Sequence, residues 1–270
     1  MATPPARQAP PPRFGEEDRR LSYGGYLKID ELLALQQPLS EPPAHDELLF
    51  IVVHQVYELW FKEVLFELGS VRDLLVEGEL RAARHLIERV QTILRVGIEQ
   101  IAVLESMAPP DFLEFRNRLA PASGFQSVQF REIEFLSGLK DERYLQRVAR
   151  DGAGRARLAQ RLREPSLWDA FCAGLESRGL AMPPDDDDVR RATLLSILSG
   201  RKAWGEEFDL CEALLGYDEL FSLWRQRHVL MVERQIGSKT GTGGSTGASY
   251  LKNTLEKRFF PELWAVRSFL

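Results

Sequence analysis

The stretch FIVVHQVYELWFK, residues 50–62, decides how the chain reads. On a helix turning about 100° per residue, Phe50, Ile51, Tyr57, Phe61 and Leu65 fall on the same side as His54. That side is apolar except for one imidazole. A second stretch, WRQRHVLMVERQIGSKTGTGGSTGASYL at 224–251, repeats the device, because Tyr217, Phe221, Trp224 and Met231 share the face of His228. Two long helices are expected, each turning one histidine inward.

For either histidine alone, a buried neutral ring satisfied by a carbonyl is the competing reading. The pair weakens it. A chain with four histidines has placed two of them inside apolar helix faces, where an unsatisfied ring nitrogen costs on the order of 1–3 kcal/mol. A flat, apolar, iron-bearing cofactor between the helices would explain both, since imidazole is a normal axial ligand of haem and apolar side chains would cover the macrocycle.

Outward from these stretches the pattern stays helical. Asp46 is placed to cap the first long helix, which should run to about Val76. A second helix follows from about Glu79, with Leu80, Ile87, Leu94 and Ile101 in one seven-residue row and Ala83, Val90, Gly97 and Leu104 in its companion. Pro109-Pro110 should end it. Then come a short helix, a Ser123-Gly124 turn and another helix. Residues 140–200 show charged helical patterning, with the acidic run 185–188 read as a solvated loop. Helix returns from about 201 to 236, with a bend expected near Gly216. A last helix is interrupted or capped near Pro261. No segment alternates convincingly as a strand, so the expected fold is an all-α helical bundle. Residues 1–20, rich in Pro, Arg and Glu, are expected to be a flexible tail ahead of a single domain over 21–270. Within 21–38, Tyr23 and Tyr26 flank a glycine pair and need a surface to lie against, either this chain's or a neighbour's.

Composition narrows the function. The chain has 270 residues, 44% of them hydrophobic, and a formal net charge of −5, so nothing supports a nucleic-acid partner. No apolar run reaches the length of a membrane span. Two isolated cysteines, Cys172 and Cys211, suit a reducing compartment, and a cytoplasmic location is expected, with any haem held non-covalently. Spacing removes other chemistries. No histidine is preceded three residues earlier by glutamate, as a di-iron bundle needs, and HExxH is absent. His54 and Glu58 could share a metal, but an exposed pair of Glu58 with Lys62 is the simpler assignment. Arg116 sits among Phe112, Phe115 and Phe125, with a surface ion pair to Glu114 or another acid as its default role. The loop GSKTGTGGSTGAS fits no phosphate-cradle pattern and follows a helix; it reads as a lid over a small molecule, or as a plain linker.

Four segments then carry a resemblance: LSYGGYLKIDELLALQQPLS, HDELLFIVVHQVYELWFK, DFLEFRNRLAPASGFQSVQFR and WRQRHVLMVERQIGSKTGTGGSTGASYL. In order and content they resemble the signature segments of the tryptophan 2,3-dioxygenases. The resemblance implies one haem b per subunit in a homotetramer built as a dimer of dimers, with O2 and L-tryptophan as substrates and N-formyl-L-kynurenine as product. It implies that His228 is the proximal ligand of the haem iron and His54 the distal histidine near the indole N–H. Phe50, Ile51 and Leu119 are expected beside the substrate, Arg116 on its carboxylate, and Thr242 on its ammonium and carboxylate. Ser123, Gly124, Phe125, Trp224 and Met231 are expected around the haem. Tyr23, Tyr26 and Leu27 would complete a neighbouring subunit's pocket. A related haem enzyme of the same superfamily, adding one oxygen at indole C3 of tryptophan or a substituted tryptophan, is the alternative these residues leave open. A third, a non-catalytic haem or tryptophan sensor, is disfavoured by Arg116, Thr242 and the glycine lid.

Overall fold

A computed structural model describes residues 22–147, 152–243, 247 and 251–270. The tail expected at 1–20 lies outside the described residues. The chain divides into two compact units, Met1–Pro38 and Leu39–Leu270.

In the first unit, α1 (Tyr23–Leu27) is capped by Ser22, whose hydroxyl accepts the Gly25 N–H at 3.0 Å. Lys28, in the left-handed region at φ 54°, turns the chain into α2 (Ile29–Leu33). Neither helix buries a residue.

The second unit is built on three long helices: α3 (Glu47–Val76), α4 (Leu80–Glu105) and, later in the chain, Gly205–Ile236. Between them lie α5 (Pro109–Arg116), a 3-10 turn (Gly124–Gln126), α6 (Val128–Leu136), α7 (Arg143–Arg147), α8 (Gly152–Arg163), α9 (Leu167–Ser177) and α10 (Asp187–Ser199). The long helix Gly205–Ile236 is α11, and α12 (Pro261–Ala265) leads into a terminal 3-10 turn. Among the described residues there is no strand, and no helix is long and apolar enough to cross a membrane.

The heptad rows of α4 explain the arrangement. Leu80, Ile87, Leu94 and Ile101, with Ala83, Val90, Gly97 and Leu104, are all buried, and α4 packs against both α3 and α11. A helix with apolar residues on two adjoining rows can sit between two partners, and it thereby sets α3 and α11, with their histidines, around a common space. The base is tightened by α9. A Cβ on Gly174 would lie 2.5 Å from the Leu75 carbonyl oxygen, so the close approach of α9 to α3 needs glycine there. At the other end of the chain, the buried carboxylate of Asp218 accepts the Phe259 and Phe260 N–H groups and the Trp264 indole N–H at 2.9, 3.2 and 2.9 Å, fastening the C-terminal segment to α11.

Several local expectations need correction. Asp46 holds the N-cap position of α3 but makes no side-chain cap; its carboxylate takes the His45 ring nitrogen at 2.7 Å instead. Pro109 does not end α4, which stops at Glu105; it opens α5, where a missing N–H costs nothing. Pro261 likewise starts α12. The acidic run is solvated but is not all loop: Asp186 caps α10 by accepting the Val189 N–H at 3.0 Å, and Asp187 and Asp188 occupy its first turn, where negative charge meets the helix dipole. Helix α11 runs from Gly205 through Gly216 to Ile236. Gly216 makes room for Gln91, whose amide donates to the Ala213 carbonyl at 2.8 Å.

Candidate active site

A cavity of about 290 Å³ opens between α3, α4, α5, α6 and α11, with Gly241, Thr242 and Leu251 also on its wall. Most of its wall is aromatic or aliphatic. Phe50 stacks on Phe112 and meets Phe115 edge-on, with ring centres 5.7 and 5.6 Å apart. Tyr57, Phe61, Phe130 and Trp224 form a second aromatic group. The Tyr57 hydroxyl donates to the Gly97 carbonyl of α4 at 2.6 Å, tying α3 to the middle helix. Burial pushes this phenol up to about 12, against the opposing pull of the Trp224 indole N–H.

Both histidines face this cavity, in different states. The His54 Nδ1 lies 2.7 Å from the Phe50 carbonyl oxygen. A carbonyl can only accept, so Nδ1 carries the proton and Nε2 is left as an acceptor. The ring borders the open cavity yet is enclosed by protein. Burial lowers its pKa, while the Phe50 carbonyl and the Glu58 charge pull the other way. The His228 ring stacks on Trp224 one turn earlier, centres 5.1 Å apart and planes within 4°. Among the described residues neither of its nitrogens has a hydrogen-bond partner. Burial, helped by repulsion from His54, lowers its pKa to about 4, so it is a neutral imidazole with a lone pair to give.

At the mouth, Arg116 donates from Nη2 to the Thr240 carbonyl. Among the described residues it has no carboxylate partner, so the default pairing with Glu114 is not formed. Most of its five N–H donors remain unspent. The Thr242 hydroxyl donates to the Ala122 carbonyl at 2.6 Å, which leaves its lone pairs free to accept. This bond ties the glycine loop to the Ser123-Gly124 turn. Gly243 lets them touch, since a Cβ there would stand 2.6 Å from the Ser123 Cβ. Residues 244–246 and 248–250 of the loop lie outside the described residues.

Of the positions singled out in the sequence, Phe50, His54, Arg116, Ser123, Gly124, Phe125, Trp224, His228, Met231 and Thr242 all line this one cavity. Ile51 and Leu119 do not. Around α3, Ile51 lies about 60° from His54 on one side, whereas Phe50 and Tyr57 lie about 40° and 60° away on the other, toward the cavity. Leu119 packs behind the wall, against Met107, Phe112 and Phe115. Tyr23, Tyr26 and Leu27 belong to the first unit and are exposed, the tyrosines by 79% and 70%. Glu58 does not pair with Lys62; its carboxylate accepts from the Gln129 amide at 2.8 Å.

The sequence reading missed the charged side chains of the wall: Arg131 and Glu134 on α6, and Arg225 on α11. Their signal was present in FREIEFL, where two acids and an arginine interrupt an aromatic helix with Arg131 and Glu134 one turn apart.

The family model for tryptophan 2,3-dioxygenase matches residues 8–181 and 185–270. Proteins named tryptophan 2,3-dioxygenase are similar over nearly the whole chain. One from a Nocardioides species is 54% identical over 260 residues, covering 94% of this chain and 97% of its own. One from Herpetosiphon aurantiacus is 49% identical over 256 residues, covering 92% and 98%. One from Xanthomonas campestris is 44% identical over 260 residues, covering 92% and 87%.

Proposed function

The chain belongs to the tryptophan 2,3-dioxygenase family, and on that premise we propose that it inserts both atoms of O2 across the indole C2–C3 bond of L-tryptophan, giving N-formyl-L-kynurenine. The observation that carries this reading is the pair of neutral imidazoles on one apolar cavity, one with an unengaged lone pair and one with its tautomer set. The residues fit a haem, read as haem b held without a covalent link. His228 offers an unbonded nitrogen, Trp224 fixes the plane of its ring, and Met231 and the aromatic wall supply apolar cover. When bound, the haem supplies the iron at which O2 is activated.

The chain's own residues bind and orient. His54 Nε2 accepts the indole N–H, Arg116 takes the substrate carboxylate through its unspent donors, and the Thr242 hydroxyl accepts from the ammonium. The aromatic wall and the glycine loop exclude water, so the protein's contribution is mainly positioning. In this scheme His54 orients the substrate and no step requires it to remove a proton.

The test is anaerobic reduction of the haem-loaded protein, addition of L-tryptophan, then O2, following the haem spectrum and product mass together. A ferrous spectrum perturbed by tryptophan and a product heavier by two oxygen atoms is expected. A product heavier by one oxygen atom would move the enzyme to the mono-oxygenating alternative.

The reading includes a homotetramer, a dimer of dimers. Its support is the apolar side chains left on the outer faces of the long helices: Val52, Leu59 and Phe66 seven apart on α3, Val96 and Val103 on α4, and Leu223 and Leu230 on α11. It also includes Tyr23, Tyr26 and Leu27 completing a neighbouring subunit's cavity, for which their exposure is the support. The free thiols of Cys172 and Cys211 support a reducing, cytoplasmic location.

A further inference from the structure

Arg131 stands in the first turns of α6, on the cavity wall, and is only 4% exposed. A guanidinium has five N–H donors. Among the described residues this one spends a single nitrogen, Nη1, on a Glu134 carboxylate oxygen, and its Nε has no hydrogen-bond partner. Glu134 cannot neutralise it alone, because its other oxygen takes Arg225 Nη2 at 3.0 Å. Arg225 is the better satisfied of the two cations, with Nη1 also on the Lys257 carbonyl at 3.1 Å.

Three rings hold the Arg131 guanidinium in place: Tyr144 at 4.1 Å, Phe130 at 5.0 Å and Phe125 at 6.0 Å from its central carbon. They supply cation–π attraction but accept no conventional N–H···O bond. A fixed, buried cation with donors to spare, on the wall of an apolar cavity, has the chemistry of a carboxylate receptor. Residence time decides which carboxylate. A substrate that leaves at every turnover would strand a buried charge at every turnover, which is costly. A resident group would keep it compensated, and Arg116 at the mouth already serves the transient ligand.

We infer that Arg131 receives a carboxylate of the resident haem and is a cofactor-anchoring residue. The inference rests on the haem reading above.

Haem and haem dimethyl ester, whose two carboxylates are blocked, are titrated separately into the haem-free protein without tryptophan. Soret absorbance and the rate of haem transfer to apomyoglobin are the readouts. The wild-type chain should favour haem over the ester by about tenfold to a hundredfold, the range for a charged hydrogen-bonded pair. Arg131→Gln should lose that preference while binding the ester as the wild type does, and Arg131→Lys should fall between. Arg131→Gln leaves Glu134 paired with Arg225, and the wild-type comparison with the ester needs no variant. An unchanged preference in Arg131→Gln, or none in the wild type, overturns the inference. So does an unchanged haem preference with a lost preference for tryptophan over tryptamine, which would assign the carboxylate to the substrate. Failure of the wild-type protein to bind either haem would instead remove the functional reading beneath it.

Discussion

In the proposed function His54 and Arg116 do different work on the same small molecule, and single substitutions should separate them. His54→Ala removes one acceptor from a ligand that the wall and the mouth still hold. Partial turnover with a KM raised by about tenfold is expected, from loss of one hydrogen bond. Arg116→Ala removes the charged fork, and tryptophan affinity should fall by about a hundredfold. Steady-state kinetics with spectroscopic titration of tryptophan checks both; a His54→Ala protein with normal haem content and no turnover would make that ring an obligatory base. The histidines also set an acid limit. Both folded-state pKa values are lowered, His228 to about 4 from the ordinary 6.5, so the unfolded chain takes up protons first as pH falls. The haem-free protein should therefore hold its stability above about pH 7 and lose it progressively from 6.5 toward 4. Urea midpoints at pH 7.5 and 5.0 measure this, and His228→Gln should flatten the slope.

Helices meet where their surfaces permit, and here glycine decides the closest contact. Gly174→Ala on α9 would drive a methyl group into the Leu75 carbonyl. It should cost about 1–3 kcal/mol of stability, the range for overpacking, without changing the cavity wall. A shifted denaturant midpoint with unaltered tryptophan affinity is the expected result. At this scale the chain was largely legible. The seven-residue rows of α4 marked a bundle helix, because burial on two adjoining rows leaves a periodic trace, and the structure supplied its two partners, α3 and α11. Boundaries were less legible. Pro109 and Pro261 could close a helix or open one, and both open one, since the choice depends on where the preceding carbonyls find partners.

Assembly and cavity belong to the molecule as a whole. If the apolar stripe of α3 is a subunit interface, Phe66→Glu, at a side chain 70% exposed in the single chain, should reduce the assembly to smaller species in sedimentation velocity, with helical content retained. If the first unit serves a neighbour's cavity, replacing Tyr23 and Tyr26 together by serine should raise KM for tryptophan without lowering haem content.

Periodicity and residue type alone determined the all-α class and the two inward histidines, whereas Arg116 and Thr242 stood out only through the resemblance of their segments to a known family. A helix repeats its facing residue every turn, and an imidazole in an apolar row is conspicuous. Only the tertiary structure decided which flank of His54 meets the cavity, admitting Phe50 and Tyr57 and turning Ile51 away. It also decided that Arg131, Glu134 and Arg225, distant in the chain and each ordinary in its own helix, form one buried cluster. Rotation about a helix axis and contact between remote segments are set by packing, and no local pattern encodes either.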